Sequence, residues 1–157
     1  MSSSDLNVTH EEKRLLALKA YQILDTLYEA EYDDLTELAS DIIGAPISLI
    51  SLIDENRQWF KSKKGISISE TDRSFSFCAH AIQNKVDAFI IEDARDDDRF
   101  SNNPYVTGDP NIVFYAAIPL IDGNDFALGT LCVIDNKPRK LNEKQLKSLR
   151  TIAKQVV

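Results

Sequence analysis

The sequence is poor in the residues that mark fibrous, disordered and disulfide-stapled chains. Its 157 residues include 5 glycines, 5 prolines and 2 cysteines, while 43% are hydrophobic. Collagen-like and disordered chains are richer in glycine and proline or poorer in apolar residues, so both classes are excluded. Basic residues are outnumbered as well, and a formal net charge of −7 repels the phosphate backbone of nucleic acid. We therefore expect one ordinary globular domain that does not bind nucleic acid.

Long apolar runs are also missing. The longest run, residues 114–121, already contains Pro119 and is far shorter than the ~20 residues that cross a bilayer. Residues 1–5 lack the basic and apolar regions of a signal peptide. These observations predict a cytoplasmic protein without a membrane partner.

Catalytic and metal-binding signatures are scarce. The glycines are too scattered for a phosphate-binding loop or a Gly-x-Ser-x-Gly turn. Cys78 and His80 resemble a thiol and its base, but residues two apart on a helix point to different sides. Because free cysteine is among the most buried residue types, an inert buried thiol is the favoured interpretation of Cys78. Together with Cys132 and His10, these residues show no zinc-ligand spacing, so we predict no catalytic residues and no metal site.

An acidic run at residues 92–99 could chelate a hard cation through its carboxylates. It lacks the glycine and the terminal glutamate of a calcium-binding loop. A solvated loop with local pairing of aspartate and arginine is the favoured interpretation.

Hydrophobic periodicity and capping residues predict the order of elements. Residues 1–8 are predicted to be disordered, and residues 9–157 to form a single domain. The predicted elements are a helix from Thr9 to about residue 27, a helix ending at Gly44, strands at 47–53 and 58–61, a helix at 76–83, a strand at 88–91, a loop at 93–110, strands at 113–120 and 126–134, and a helix from Asn142 onward. This order predicts an α+β fold with an antiparallel sheet, helices on one face and loops on the other.

Several spaced motifs then carry a resemblance. They are Phe-Cys-Ala-His-Ala-Ile at 77–82, Glu-Asp-Ala at 92–94, Asn-Pro-Tyr-Val at 103–106, Phe-Tyr-Ala-Ala-Ile-Pro-Leu at 114–120 and Leu-Gly-Thr-Leu-Cys-Val-Ile-Asp at 128–135. In this order they resemble GAF domains, most closely those of bacterial sensor histidine kinases and diguanylate cyclases. The resemblance implies a PAS-like antiparallel sheet of about six strands, with terminal helices on one face and a loop-covered small-molecule pocket on the other.

The sequence also departs from related patterns. Val113 stands where such sequences usually carry arginine, and Ala117 replaces a frequent glycine. The signature of cyclic-nucleotide GAF domains is not recognisable. Ala79 separates Cys78 from His80, whereas bilin-binding relatives attach their tetrapyrrole to a cysteine next to a histidine. The sequence therefore identifies no cofactor and no ligand.

Two sets of functional residues are predicted. Strand alternation places Asp93 at the end of a strand where it opens the long polar loop. The expected pocket residues are Phe77, Cys78, Asp93, Arg95, Phe100, Phe114 and Thr130. Apolar stripes on the first and last helices predict a homodimer, because each helix can bury only part of its stripe on the sheet. The expected dimer residues are Leu16, Ala20, Ile23, Leu27, Leu149, Ile152 and Val156.

These observations favour a non-catalytic, signal-sensing regulatory domain of a two-component or related signalling protein. It would bind a small molecule and relay its state through the terminal helices to a kinase or cyclase domain. The alternatives are a dimerisation module that binds no ligand and, less favoured, a thiol-dependent reductase that uses Cys78.

Overall fold

The computed structural model describes residues 9–83 and 87–157. The predicted disorder of residues 1–8 lies outside the described residues. The helices are α1 (His10–Ala20), α2 (Ala30–Ile43), α3 (Phe77–Gln83), α4 (Pro104–Thr107) and α5 (Glu143–Val156), and the strands are β1 (Ile47–Ile53), β2 (Arg57–Lys64), β3 (Glu70–Asp72), β4 (Phe89–Ile91), β5 (Phe114–Ile121) and β6 (Ala127–Asp135).

One sheet contains all six of these strands, in the order β3-β2-β1-β6-β5-β4, and each neighbouring pair is antiparallel. Its centre is the pair β1 and β6, where Ser51 lies opposite Thr130. Gly129 permits this close approach, because a Cβ atom there would lie 1.8 Å from the Ser51 carbonyl oxygen. The predicted α+β fold with an antiparallel sheet of about six strands is confirmed.

The helix ends follow the capping residues. Thr9 Oγ1 accepts the Glu12 amide at 3.1 Å and starts α1. Asn142 and Gln145 form a reciprocal capping box at the start of α5. Gly44 ends α2 in the left-handed conformation, with φ of 75°. All three of these helix ends were predicted from the sequence.

The first helix is shorter than predicted, however. It ends at Ala20 instead of about residue 27, because Gln22 and Asp25 adopt positive φ angles of 54° and 60°. Asp25 then pairs with Arg57 of β2 at 2.7 Å. Contacts with the sheet therefore outweigh the helical periodicity of residues 21–27.

A β-bulge in β2 holds the connection between α1 and α2. The bulge adds Lys61 to β2 opposite β1, and the Lys61 side chain is fully buried. Its ammonium group donates to Thr26 Oγ1 at 2.8 Å and to the Leu27 carbonyl oxygen at 2.5 Å. It also pairs with Glu29 at 2.6 Å. The bulge therefore places the Lys61 ammonium group where it binds the connection between α1 and α2.

The two faces of the sheet have different cores. Phe114 and Leu131 pack with α2 and α5 on the helix face. Tyr115 and Cys132 face the other side and pack beneath α3 and the loop that follows β4. We call this side the loop face. The predicted placement of the terminal helices on one face and a loop-covered side on the other is confirmed, although α3 lies on the loop face and not with the other helices.

Two features of the structure were not predicted from the sequence. Strand β3 is a three-residue edge strand paired with β2. The predicted loop at 93–110 contains a 3₁₀ turn at Ala94–Asp96 and the short helix α4, which Asn103 caps by accepting the Tyr105 amide at 2.9 Å. The local acidic pairing is as predicted, since Asp93 binds Arg95 and Asp97 binds Arg99, each at 2.7 Å.

Part of the predicted dimer surface is wrong. Leu149 and Ile152 are 1% and 4% exposed, because α5 packs this stripe against the sheet and α2 of its own chain. Leu16 and Leu27 are 65% and 88% exposed, Ala20 is also exposed, and Ile23 and Val156 are partly buried against the core. In residues 9–83 and 87–157, no helix is both long and apolar enough to span a bilayer.

Candidate functional site

A cavity of about 40 Å³ lies on the loop face, between the sheet and its covering segments. Its floor includes Leu49 of β1 and Ile134 of β6. Gln58, Thr71 and Tyr115 supply the polar side chains among mostly apolar walls. Such a mixture of apolar walls and few polar groups is typical of a small-molecule site.

Two segments close this cavity from the solvent side. The loop after Gly65 contributes Ile66 and Ile68, and the segment around α4 contributes Tyr105 and Pro110. The same residues line an outer cleft, so the cleft and the cavity are separated only by these side chains. A ligand larger than a few water molecules must displace them to enter.

Aromatic rings fill the space beside the cavity. Phe77 of α3 stacks on Phe100 with ring centroids 4.1 Å apart and contacts Tyr115 at 5.0 Å. Phe89 of β4 meets Phe100 edge-on at 6.3 Å. The Arg99 guanidinium lies 5.2 Å from both the Phe89 and Phe100 rings. This cluster explains why the cavity is small despite the long loop that covers it.

A buried polar network lies beneath α3, next to the cavity. Its centre is the Cys78 sulfur, which accepts hydrogen bonds from Thr130 Oγ1 at 2.9 Å and Gln58 Nε2 at 3.1 Å. The Tyr115 hydroxyl lies 2.7 Å from the same sulfur. Gln58 also donates to Ser51 Oγ at 2.9 Å. These residues come from four strands and α3, so the network connects the sheet to α3.

The network shifts the ionisation of its thiols. Burial raises the pKa of Cys78, but hydrogen bonds from Cys132, Thr130, Tyr115 and Ser51 outweigh it and lower the pKa to about 7. Burial and the neighbouring Cys78 raise the pKa of Tyr115 and of Cys132. Cys78 is therefore the group of this cluster that ionises most readily.

The structure brings together only some of the predicted pocket residues. Phe77 lines the cavity, and Cys78, Phe100 and Thr130 are buried beside it. Asp93 and Arg95 instead pair with each other at the surface, outside the cavity lining.

Phe114 lies on the opposite, helix face, since Tyr115 occupies the loop-facing position of β5. Sequence reasoning missed Gln58 and Tyr115, although alternation along β2 and β5 could have indicated them.

A connection runs from the cavity lining to α1. Phe75 lines the cavity, and Arg73 lies in the same 3₁₀ turn. Arg73 pairs with Glu11 of α1 at 3.0 Å, and Glu11 also binds Arg14 at 2.8 Å. Burial raises the pKa of Glu11, but the two guanidinium groups lower it below its ordinary value. The carboxylate therefore stays charged and bridges the two segments.

The helix face carries a second, larger cavity of about 260 Å³. Leu18 of α1, Tyr32 of α2 and Val156 of α5 contribute to its apolar walls. The aliphatic stem of Lys61 also lines it, while the ammonium group is satisfied by the bonds described above. Among the described residues, no cluster of three or more histidine, cysteine, aspartate or glutamate side chains could hold a metal ion.

The fold has many solved relatives. The GAF domain of a phosphoenolpyruvate-protein phosphotransferase from Acinetobacter superposes with a TM-score of 0.65 and 19% identity, covering 99% of this chain and 92% of that one. A type II free methionine-R-sulfoxide reductase from Thermoplasma acidophilum gives a TM-score of 0.64 with 11% identity, covering 87% of this chain and 89% of that one. At these identities the likeness shows the fold alone.

Sequence similarity identifies the family. A family model described as GAF domain matches residues 28–157. A cyclic di-GMP phosphodiesterase from Pseudomonas aeruginosa is 38% identical over 148 residues, which are 94% of this chain but only 25% of that protein. This chain thus spans about a quarter of the length of that relative. The extent of these matches shows that the chain belongs to the GAF domain family, whose members are in general sensory regulatory modules.

Proposed function

We propose that this chain is a signal-sensing domain that binds a small molecule on the loop face and relays its state through the terminal helices. The observation that carries the proposal is the cavity between the sheet and its two covering segments. Its walls are mostly apolar, and Gln58, Thr71 and Tyr115 provide hydrogen-bonding groups at separate points. Such a site favours a largely apolar ligand with a few polar groups.

Ligand entry requires rearrangement of the cover. The cavity of about 40 Å³ holds only a few water molecules. A drug-sized ligand would have to displace Ile68 and Phe75, which are already 39% and 43% exposed. Binding is therefore coupled to a change in the segment that carries Arg73.

This coupling provides the route to α1. Displacement of the turn that contains Phe75 would strain or break the ion pair between Arg73 and Glu11. Glu11 belongs to the first turn of α1. A ligand that prefers the displaced cover would therefore shift the population of α1 positions.

The similar phosphodiesterase supports a proposal for the output domain. Since the similar phosphodiesterase is about four times as long as the matched region, we infer that this sensory domain regulates an attached enzyme of cyclic di-nucleotide turnover or a related signalling domain. A kinase or cyclase output remains compatible with the family.

A second candidate function is dimerisation without a ligand. It is favoured by the small cavity and by exposed apolar side chains on the helix side, among them Leu16, Tyr21 and Leu27. These side chains would be covered in a homodimer built on α1 and the link that follows it. The revised dimer surface omits Leu149 and Ile152.

A thermal-shift screen tests ligand binding. Purines, cyclic nucleotides, amino acids and haem are each added to the chain. A ligand at 100 times its Kd adds ~2.7 kcal/mol, which raises the melting temperature by roughly 5–10 °C. The matched variants are Ile68→Trp, which blocks the cavity cover, and Ile90→Trp, at a position of equal 39% exposure outside the cavity lining. A true cavity ligand stabilises wild type and Ile90→Trp but not Ile68→Trp.

Light scattering across a concentration series tests dimerisation. Leu16→Glu and Leu27→Glu are expected to dissociate a dimer, whereas Ile90→Glu, on β4, serves as the control. Absence of any stabilising compound together with a dimer that Leu16→Glu dissociates would favour the second function. A monomer at all concentrations would contradict it.

A further inference from the structure

The fold brings both cysteines of the chain into one buried cluster. Cys78 lies in the first turn of α3 and Cys132 in β6, and the two side chains are 0% and 1% exposed. Both belong to the loop-face core, and Cys132 follows Thr130 by two residues on the same side of β6. Thr130 and Tyr115 of the adjacent β5 both contact the Cys78 sulfur, so Cys132 lies next to the residues that surround Cys78. Neither cysteine is used by the ligand and relay functions proposed above.

The partners of Cys78 favour its thiolate form. Thr130 and Gln58 both use the sulfur as an acceptor. The Tyr115 hydroxyl lies 2.7 Å from the sulfur, and burial raises the pKa of this phenol, so it keeps a proton that it can donate to a thiolate. Two donors and a protonated hydroxyl around one sulfur match a thiolate, which accepts hydrogen bonds but has none to give. This environment differs from the apolar surroundings of an inert core cysteine.

We propose that Cys78 is a peroxide-reactive thiolate and that Cys132 resolves its oxidation to an intramolecular disulfide. In the first step, the Cys78 thiolate attacks one oxygen of hydrogen peroxide, the O–O bond breaks, and Cys78 sulfenic acid and hydroxide form. In the second step, the Cys132 sulfur attacks the sulfenic sulfur, the S–O bond breaks, and the hydroxyl leaves as water with the proton of Cys132. The hydroxide of the first step takes up the proton that Cys78 released on ionisation. In total, two thiols are oxidised to one disulfide, and one peroxide is reduced to two waters.

The small size of the loop-face cavity limits which reagents can reach Cys78. Gln58 and Tyr115 line it, and both contact the Cys78 sulfur directly. A cavity of about 40 Å³ has room only for a molecule no larger than a few waters. Hydrogen peroxide fits this range, whereas iodoacetamide is larger. Peroxide is therefore expected to reach Cys78 with a small side-chain movement, and alkylating reagents only after the cover opens.

Oxidation would alter the same cavity. A disulfide removes the thiolate that orients Gln58 and Tyr115, so the two polar walls lose a shared acceptor. The redox state of the pair would thus change the polar walls of the ligand cavity, although the proposed oxidation does not depend on a ligand.

Mass spectrometry of the whole chain tests the proposal. The reduced protein is treated with equimolar hydrogen peroxide near neutral pH, and circular dichroism checks that it stays folded. We expect the mass of the chain to fall by that of two hydrogen atoms and digestion to yield a peptide pair joined through Cys78 and Cys132. Dithiothreitol should restore the original mass in full. In Cys132→Ser, dimedone present while the peroxide-treated protein is unfolded is expected to label Cys78 as sulfenic acid, because the reagent is too large to reach the folded site. Iodoacetamide should label the folded wild type at least about a hundredfold more slowly than an unfolded reference, because reaction requires opening.

A matched pair of threonine variants tests whether the hydrogen-bond donors around Cys78 control its reactivity. Thr130→Val removes one donor to Cys78, which raises the pKa of this thiol and is expected to slow peroxide oxidation by up to about tenfold near neutral pH. Thr36→Val makes the same change at a buried threonine on the helix face and should leave the rate unchanged. The proposal is overturned if the folded wild type keeps both thiols reduced, if the disulfides join different chains, or if the two variants are oxidised at the same rate.

Discussion

Arg14 is the residue that holds α1 on the end of the sheet, and its removal gives the sharpest test of this docking. Its side chain is 4% exposed. The guanidinium donates to the Ile53 carbonyl oxygen at 2.7 Å and to the Ala127 carbonyl oxygen at 3.2 Å, where β1 ends and β6 begins. It also forms a bidentate pair with Glu11. Arg14→Met keeps much of the apolar stem and removes all these bonds.

The expected loss follows from the partners. A hydrogen bond from a charged donor contributes about 1.5–3 kcal/mol, and both carbonyl groups are buried contacts. The pair with Glu11 adds at most about 1 kcal/mol, since that carboxylate is 40% exposed. We expect Arg14→Met to lower the free energy of unfolding by about 3–5 kcal/mol. At 2–4 °C for each kcal/mol, the melting temperature falls by roughly 6–20 °C.

Urea and thermal unfolding measure this loss against two other variants. Lys13→Met removes a positive charge from an exposed position of the same helix and should change stability by less than about 0.5 kcal/mol. Glu11→Gln removes the ion pair but keeps the hydrogen bonds from Arg14 to the two carbonyl oxygens. It should lower the free energy of unfolding by about 1 kcal/mol. If Arg14→Met is no more destabilising than Lys13→Met, these bonds do not hold α1 and the docking argument fails.

Three further perturbations address the sheet, the loop face and α5. Gly129→Ala should destabilise by more than about 4 kcal/mol, because the new Cβ would overlap a β1 carbonyl oxygen at 1.8 Å, whereas Gly123→Ala meets open space and should be nearly neutral in urea unfolding. Burial and the charge of Arg99 lower the pKa of His80, so the unfolded chain binds a proton more readily and stability falls as pH drops below about 6.5; His80→Gln should lose less stability than wild type over that range. Leu149→Ala should cost about 2–5 kcal/mol without changing the concentration dependence of light scattering, because this side chain belongs to the monomer core.

Local signals were sufficient for most of the fold. Gly44, Thr9 and Asn142 each act through backbone atoms within a few residues, and their effects are as predicted. The end of α1 is different, because Lys61 and Arg57 of β2 determine it from more than thirty positions away. Periodicity reports which face of a helix is apolar, but it does not report where distant side chains end the helix.

The same limit applies to the two functional surfaces. The motif around Cys78 indicated a buried thiol, and its burial is confirmed. The groups that surround it come from separate strands, and only the register of β2, β1, β6 and β5 brings them together. Likewise, an apolar stripe on α5 is equally compatible with a dimer and with the sheet. The choice depends on the packing of α2 beside it, which one helix pattern does not contain.

The link between the two faces also sets a limit on how the proposed signal travels. Glu11 and Arg73 are 40% and 23% exposed, so their ion pair contributes about 1 kcal/mol or less. A difference of this size changes an equilibrium by about fivefold, which is the lower end of measured allosteric coupling. A stronger response would have to use buried contacts that change with the cover. The ring stack of Phe77 and Phe100 meets this requirement, because it joins α3 to the segment after β4 and contacts Tyr115 on the sheet. We therefore expect the surface ion pair to bias the position of α1 and the aromatic cluster to carry the larger part of the coupling energy.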